Sequence, residues 1–162
     1  GSLSAGQRVA AGNVLAQLGD PRFRREAWDL PDDPLLGFVE IPPSSFLMGS
    51  DPRKDPAAGP QEQPLHRVTL DAFEIDRYEV SNVEYLRFVL ATGASWPQFW
   101  RAKPFPDKMA THPVINVSWQ DAADYASWLS LRTAQVYRLP TAAEWEYLAR
   151  GGEDRLAEQW RL

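Results

Sequence analysis

Two segments, PVINVSWQDAADYASWLS (residues 113–130) and YRLPTAAEWEYLARGG (residues 137–152), decide the fold of this chain. Their patterns predict a short buried strand, a helix, an extended link and a second helix. Pro140 keeps the residue before it extended and so separates the two helices. Gly151 and Gly152 supply the left-handed residue that commonly ends a helix. These are folding signals, and none of them indicates catalysis.

Each of the two predicted helices has its own start signal. Ser118 precedes Asp121 by three residues. Its hydroxyl can therefore accept a hydrogen bond from a first-turn backbone N–H, while the carboxylate favours the positive end of the helix. Thr141 and Glu144 have the same spacing and form a full capping box. Capping therefore explains these polar residues without a catalytic role.

A third helix is predicted upstream. Ser81 and Glu84 form another capping box, and the helical pattern continues through Thr92 until Gly93 stops it. Its apolar positions are too numerous for a fully exposed helix. We expect this helix to contribute to the core.

Composition restricts the class of protein. The 162 residues are 44% hydrophobic and 12% aromatic, which suits one domain with a core and an additional arm. The net charge of -5 lacks the basic footprint of nucleic-acid binding. No run of eighteen apolar residues and no export leader is present, so we expect neither a membrane nor a nucleic-acid partner, and a cytoplasmic location.

The sequence contains no cysteine. This excludes disulfides, thiolate metal sites and a cysteine nucleophile from this chain. Any chemistry that depends on a thiol would need another polypeptide segment.

The N-terminal residues 1–36 are predicted to be a helical arm or a linker from an upstream domain, and the main domain is predicted to occupy residues 37–162. Apolar residues between Gln7 and Asp20 have helical spacing, and Gly19 follows the last of them. This helix and the LGDPR that follows resemble the end of a helical repeat array. The alternative is a solvated arm that packs loosely on the core.

Short strands are predicted after residue 37. GFVEI (37–41) and SFLMGS (45–50) are separated by Pro42-Pro43 and are interpreted as a hairpin-like pair. HRVTLDAFEIDRYEV (66–80) has strand character again. The proline-rich, charged residues 51–64 between them are predicted to form a mobile surface loop.

An irregular stretch between Ala94 and Pro113 is the place where a pocket could form. Its aromatic side chains are candidates for stacking on a flat ligand or a peptide. The alternative, which we favour, is that they fill the side of a core that lacks regular secondary structure. The candidate binding residues are Trp96, Phe99, Trp100 and Phe105.

No catalytic or metal-binding residue is predicted. His66 and His112 are far apart in sequence, and a shared metal site would need further ligands, so we interpret both as structural. The carboxylate pairs Asp121 with Asp124 and Glu144 with Glu146 are interpreted as caps and solvated surface groups.

Four aromatic residues at helical spacing in the two segments are interpreted as core residues rather than as a ligand cage. They are Trp119, Trp128, Trp145 and Tyr147.

Four blocks in a fixed order resemble the formylglycine-generating-enzyme, or sulfatase-modifying-factor, family. They are FLMGS (46–50), EVSN (79–82), PVINVSW (113–119) and YRLPTAAEWEYLARGG (137–152). The resemblance implies an α+β, C-type-lectin-like fold with much irregular backbone, apparently incomplete at its C-terminus. Two positions depart from the family pattern: Ala142 replaces a usual acidic residue, and RTAQVY (132–137) lacks a common glycine.

The resemblance does not supply an active site. In the family's enzymes, cysteines in the later half of the domain bind copper and oxidise a substrate cysteine. Copper(I) needs soft thiolate ligands, and this chain has none. We therefore expect no cofactor in this chain, with copper only if a cysteine-bearing remainder is present. Calcium is allowed by the resemblance, but its usual ligands would also lie in that later half.

Three functional hypotheses follow. The first is a noncatalytic recognition or regulatory module of a larger bacterial multidomain protein of the defence or signalling type. The second is the N-terminal portion of a copper-dependent formylglycine-generating oxidase whose catalytic cysteines lie outside this chain. The third is a structural or regulatory fragment released by proteolysis. We expect a protein or peptide partner, which the remainder of the chain's own domain could provide.

Overall fold

The computed structural model describes residues 3–18, 21, 23–24, 30–31, 34–100, 105 and 109–152. The side chains of residues 16, 17, 23 and 24 lie outside this description. The elements in chain order are α1 (Ala5–Leu18), β1 (Phe23–Arg24), β2 (Leu30–Pro31), β3 (Phe38–Ile41), β4 (Ser44–Met48), β5 (His66–Leu70), β6 (Phe73–Asp76), α2 (Asn82–Thr92), α3 (Trp119–Thr133) and α4 (Ala142–Ala149). The strands form three two-stranded sheets, β1 with β2, β3 with β6, and β4 with β5. None of the helices in the described ranges is long and apolar enough to span a bilayer.

The chain divides into two compact units. The first comprises Gly1–Phe38 and Asp76–Leu139, and the second comprises Val39–Ile75 and Pro140–Leu162. Each unit has a hydrophobic core of its own. Whether a domain boundary falls between residues 36 and 37 stays a prediction.

The core of the first unit is built largely from aromatic rings of α2 and α3. Tyr85 stacks on Tyr125 at 5.7 Å between ring centroids, and Phe88 meets Trp128 edge to face at 5.8 Å. Such pairs add roughly 0.5–1.5 kcal/mol each beyond the effect of buried area. The aromatic contacts therefore fix how the two helices pack.

The core of the second unit lies between the β4–β5 pair and α4. The strands are antiparallel, with Phe46 opposite Val68. Phe46 is 1% exposed and contacts Tyr147 edge to face at 5.4 Å. Leu70 completes the buried group.

The three predicted helix starts are confirmed. Ser81, Ser118 and Thr141 are the N-cap residues of α2, α3 and α4. In each case the cap hydroxyl accepts from the backbone N–H three residues on, and that residue's carboxylate accepts from the cap N–H. The predicted stop at Gly93 is also confirmed, because this glycine closes α2 with a φ of 73°.

The N-terminal helix forms as predicted. α1 spans Ala5–Leu18, so it begins two residues before the predicted Gln7 and ends at Leu18, the last apolar position before the predicted stop at Gly19. Gly19 and Asp20 lie outside the described residues. The predicted loop 51–64 is irregular apart from a 3-10 turn at Pro60–Glu62.

The predicted hairpin of GFVEI and SFLMGS is wrong. β3 pairs with β6 and β4 pairs with β5, so the two strands do not pair with each other. Pro42 and Pro43 explain the difference, because the favoured two-residue hairpin turn needs a positive φ that proline cannot adopt. Each strand therefore pairs with a strand farther along the chain.

The predicted buried strand in PVINV is also wrong. Only an isolated bridge forms there, between Pro113 and Ser81. Asn116 adopts a φ of 57°, which interrupts the extended backbone, and Ile115 is exposed.

The core assignment of four aromatic residues is correct for two of them. Trp128 and Tyr147 are buried, but Trp119 is 71% exposed and Trp145 is 65% exposed. Trp119 is the first residue of α3, ahead of the buried positions of that helix. Trp145 directly follows the buried Glu144, so its side chain leaves α4 about a quarter turn away.

Residues at the end of α4 hold the backbone after β4. Glu146 Oε1 accepts from Gly49 N–H at 2.7 Å, and Arg150 Nη2 donates to Gly49 O at 2.8 Å. Arg150 and Glu146 also form an ion pair of 2.5 Å. Both polar groups of the Gly49 backbone are therefore bound from the same helix end.

Replacing Gly49 should destabilise the protein strongly. Gly49 has a φ of 88°, and a Cβ there would lie 2.6 Å from Pro64 O and 2.8 Å from Glu62 O. Backbone strain of about 1–3 kcal/mol adds to overpacking of about 1–3 kcal/mol. We expect Gly49→Ala to lower the free energy of unfolding by about 3 kcal/mol, as measured in urea titrations.

Gly93→Ala is the matched control. Gly93 also has a positive φ, of 73°, but a Cβ at this position would meet no atom within 4 Å beyond its adjacent residues and its own helix backbone. Only the left-handed strain of about 1–2 kcal/mol should remain. Equal losses for both variants would contradict the steric explanation.

Candidate functional site

The four candidate binding residues lie at different depths in the first unit. Trp100 is 2% exposed and Phe105 is also buried, and both belong to the core. Trp96 is half-buried, whereas Phe99 is 40% exposed. Residues 101–104 and 106–108 of this stretch lie outside the described residues.

Ring contacts connect the half-buried and buried members of this group. Trp96 packs edge to face on Trp100 at 5.7 Å, and Trp100 contacts Phe105 at 4.9 Å. Trp100 also meets Tyr85 of α2 at 6.1 Å. A ligand would meet the more accessible Trp96 and Phe99, while Trp100 and Phe105 lie in the core, where Trp100 supports Trp96. Ligand binding by these residues stays a prediction.

Asn82 holds this region together. Its side chain is completely buried, and its Oδ1 accepts from Trp100 Nε1 at 2.7 Å. Its Nδ2 donates to Met109 O at 2.8 Å and to His112 O at 3.0 Å. Its backbone N–H donates to the same His112 carbonyl at 2.8 Å. One amide therefore joins the start of α2, the turn at 109–112 and the buried indole.

The sequence pattern alone does not identify Asn82 as the residue that organises this region. The sequence does contain one signal, which is an asparagine in the first turn of a helix with many apolar positions. Asparagine has a low helix propensity, so a compensating contact is expected at this position. Its partners lie 18 to 30 residues away. Local pattern cannot identify partners at that separation.

The two histidines lie in separate hydrogen bonds. His66 Nδ1 bonds with Pro64 O at 2.8 Å, and His112 Nε2 bonds with Asn13 Oδ1 of α1 at 2.9 Å. Within the described ranges, no group of three or more histidine, cysteine, aspartate or glutamate residues could hold a metal ion. With no thiolate in the sequence, the donor set does not fit copper(I).

The carboxylates considered for acid–base chemistry have structural partners. The hydroxyl and backbone N–H of Ser118 lower the pKa of Asp121. Asp124 accepts from Gln120 at 2.8 Å. Glu144 caps α4, and Glu146 binds Gly49. These contacts support the predicted structural roles.

Burial and two acidic neighbours perturb the phenol of Tyr85. Burial raises the pKa of Tyr85 to about 12, and the negative charges of Asp121 and Asp124 add to the effect. The phenol therefore stays neutral over the whole physiological pH range.

Comparison with known proteins gives a family match for most of the chain. The model of the sulfatase-modifying factor enzyme 1-like domain matches residues 26–161. The formylglycine-generating enzyme of Thermomonospora curvata is 35% identical over 80% of this chain and 54% of its own length. The mouse formylglycine-generating enzyme is 32% identical over 99% of this chain and 54% of its own length. The chain thus spans about half the length of these relatives.

Two further similarities concern protein context and fold. The serine/threonine-protein kinase pkn1 of Chlamydia caviae is 31% identical over 74% of this chain but only 20% of its own length. The structure of PvdO from Pseudomonas aeruginosa matches with a TM-score of 0.57 and 32% identity, covering 71% of this chain and 47% of that protein. The match to PvdO confirms the predicted α+β fold.

Removing the indole donor of Trp100 should cost stability. Trp100→Phe keeps a buried ring but leaves Asn82 Oδ1 without its partner and opens a small cavity. An unsatisfied buried acceptor costs about 1–3 kcal/mol, and the lost volume adds to it. We expect a loss of about 2–4 kcal/mol in chemical denaturation. The control Phe99→Ala, at an exposed position, should stay within about 0.5 kcal/mol. A loss as small as the control's would show that the Asn82 contact is dispensable.

Alkaline pH should destabilise the protein through Tyr85. In the unfolded chain a tyrosine loses its proton near pH 10, whereas the folded pKa is about 12. Between these values the unfolded state binds fewer protons, so stability falls as pH rises. Urea unfolding at about pH 9 and about pH 11 should show this fall, and Tyr85→Phe should reduce it. An unchanged slope in Tyr85→Phe would assign the fall to other groups.

Proposed function

The chain belongs to the sulfatase-modifying factor enzyme 1-like domain family, and from this premise we propose that it is a noncatalytic recognition or regulatory module of a larger multidomain protein of the signalling or defence type. The observation that carries the proposal is the absence of cysteine from the sequence. The copper(I) chemistry expected of the family's oxidases needs thiolates that this chain does not supply. The similarity to a serine/threonine-protein kinase supports a multidomain setting.

Exposed tryptophans support a protein partner. Trp119 of α3 and Trp145 of α4 are mostly exposed to solvent. Tryptophan is enriched among the residues that dominate binding energy at protein interfaces. The relatives contain nearly as much chain again outside the match. We propose that the partner is a polypeptide that supplies the complementary part of a family domain. We also propose a cytoplasmic location, with no nucleic-acid or membrane partner.

The second candidate function is the N-terminal portion of a formylglycine-generating oxidase. The 35% identity with the enzyme of Thermomonospora curvata favours it. In that case the copper-binding cysteines come from chain outside these 162 residues, as would ligands for calcium. This chain would then provide scaffold rather than reactive groups.

An activity measurement separates the two functions. The chain is incubated with a cysteine-containing sulfatase peptide, copper(I), a thiol reductant and oxygen, and conversion of cysteine to an aldehyde is followed by mass spectrometry. We expect no conversion by the chain alone and none by the protein containing it. Conversion by the complete protein would establish the oxidase, and conversion by the chain alone would contradict both proposals.

A binding measurement tests the partner. The part of the Thermomonospora curvata enzyme outside the aligned segment is produced as a separate polypeptide and titrated with the chain by calorimetry. We expect Trp119→Ala and Trp145→Ala each to weaken binding by about tenfold or more. Leu90→Ala, which truncates a comparably exposed side chain on α2, is the control and should change binding by less than about twofold. If the two tryptophan variants bind as tightly as Leu90→Ala, neither tryptophan contributes to binding.

A further inference from the structure

Much of α1 faces solvent rather than the core of the first unit. Residues 5–11 are exposed, as are Val14 and Leu18, while Asn13 and Leu15 are half-buried. A 14-residue helix is marginal in water without tertiary contacts. Elements with few buried contacts open at low free energy. We therefore expect α1 to exchange between a docked and a released state.

The hydrogen bond between Asn13 Oδ1 and His112 Nε2, 2.9 Å long, joins α1 to the turn at 109–112. Within that turn, His112 N–H donates to Met109 O at 3.1 Å. Both of these residues also provide carbonyl acceptors for the Asn82 side chain. The residue that binds α1, His112, therefore also contacts the buried amide directly through its carbonyl.

From Asn82 the contacts continue through Trp100 to Trp96. Asn82 Oδ1 accepts from Trp100 Nε1 at 2.7 Å, and Trp100 supports the half-buried Trp96. The contacts form an unbroken series from α1 through His112, Asn82 and Trp100 to the half-buried ring of Trp96. Every step lies within the first unit.

We propose that α1 has a regulatory role. Its docking through Asn13 and His112 is coupled to the order of Trp100 and of the Trp96 ring that Trp100 supports. When α1 is docked, the His112 side chain bonds with Asn13 while the His112 backbone bonds with Met109 and Asn82. Release of α1 removes the side-chain contact and loosens the carbonyls that bind Asn82. A ligand that needs an ordered Trp96 would then favour docked α1, and docking would favour the ligand equally.

The regulatory use of this coupling rests on the proposed binding role, but the coupling itself exists or fails without any ligand. The test therefore uses the full 162-residue chain alone. Hydrogen exchange is measured at α1 backbone amides and at the Trp100 indole N–H by NMR. Failure of the oxidase or binding measurements would leave this result unchanged, so the two proposals are tested separately.

Asn13→Ala removes the acceptor for His112. Loss of one hydrogen bond should raise exchange of α1 amides by about two- to tenfold. Coupling requires the Trp100 indole to exchange faster too, by about twofold or more. Asn13→Asp retains an acceptor and should restore slow exchange at both places.

Val9→Ala is the matched control. Val9 is an exposed residue of α1, and its replacement by alanine brings a gain in helix propensity similar to that of Asn13→Ala. It should leave exchange at Trp100 unchanged. Faster exchange in α1 without any change at Trp100 in Asn13→Ala would overturn the proposal, as would unchanged exchange in α1.

Discussion

The buried amide of Asn82 is the interaction on which the first unit depends. A side chain that is fully removed from water must find partners for each polar atom, and an unsatisfied one costs about 1–3 kcal/mol. Asn82 meets this requirement with carbonyls of the 109–112 turn and with the indole of Trp100. An irregular segment is thereby held in one position without regular secondary structure. The aromatic core can form around Trp100 because its one side-chain polar atom has a partner.

The second unit uses a similar solution at a glycine. Glu146 and Arg150 bind the N–H and the carbonyl of Gly49, while the close approach of Pro64 and Glu62 leaves no room for a side chain. Glu146 and Arg150 lie one helical turn apart at the end of α4, so their pairing also orients them. In both units, therefore, polar groups from a helix end bind irregular backbone and hold it in place.

In this family member, the polar groups considered as reactive residues serve the scaffold. The resemblance inferred from four sequence blocks is confirmed by the family match over residues 26–161. The carboxylates considered for acid–base chemistry are occupied in caps, an ion pair, a backbone contact and a side-chain hydrogen bond. The scaffold also presents aromatic side chains to solvent, at Trp119, Trp145 and Phe99. This distribution supports the proposed recognition role, which is carried by the absence of cysteine from the sequence.

The sequence by itself determined where α2, α3 and α4 begin and where α2 ends, because capping residues and Gly93 act on neighbours three or four residues away. Only the tertiary structure decided strand pairing, where prolines between β3 and β4 prevent a tight turn and each strand finds a more distant partner. Helical spacing placed Trp119 and Trp145 in apolar patterns but could not show whether another element covers them. Asn82 and Trp100 become important only when distant segments bring a carbonyl and an indole within about 3 Å of one amide. These outcomes depend on which surfaces meet in space, and a local pattern contains no information about residues that are remote along the chain.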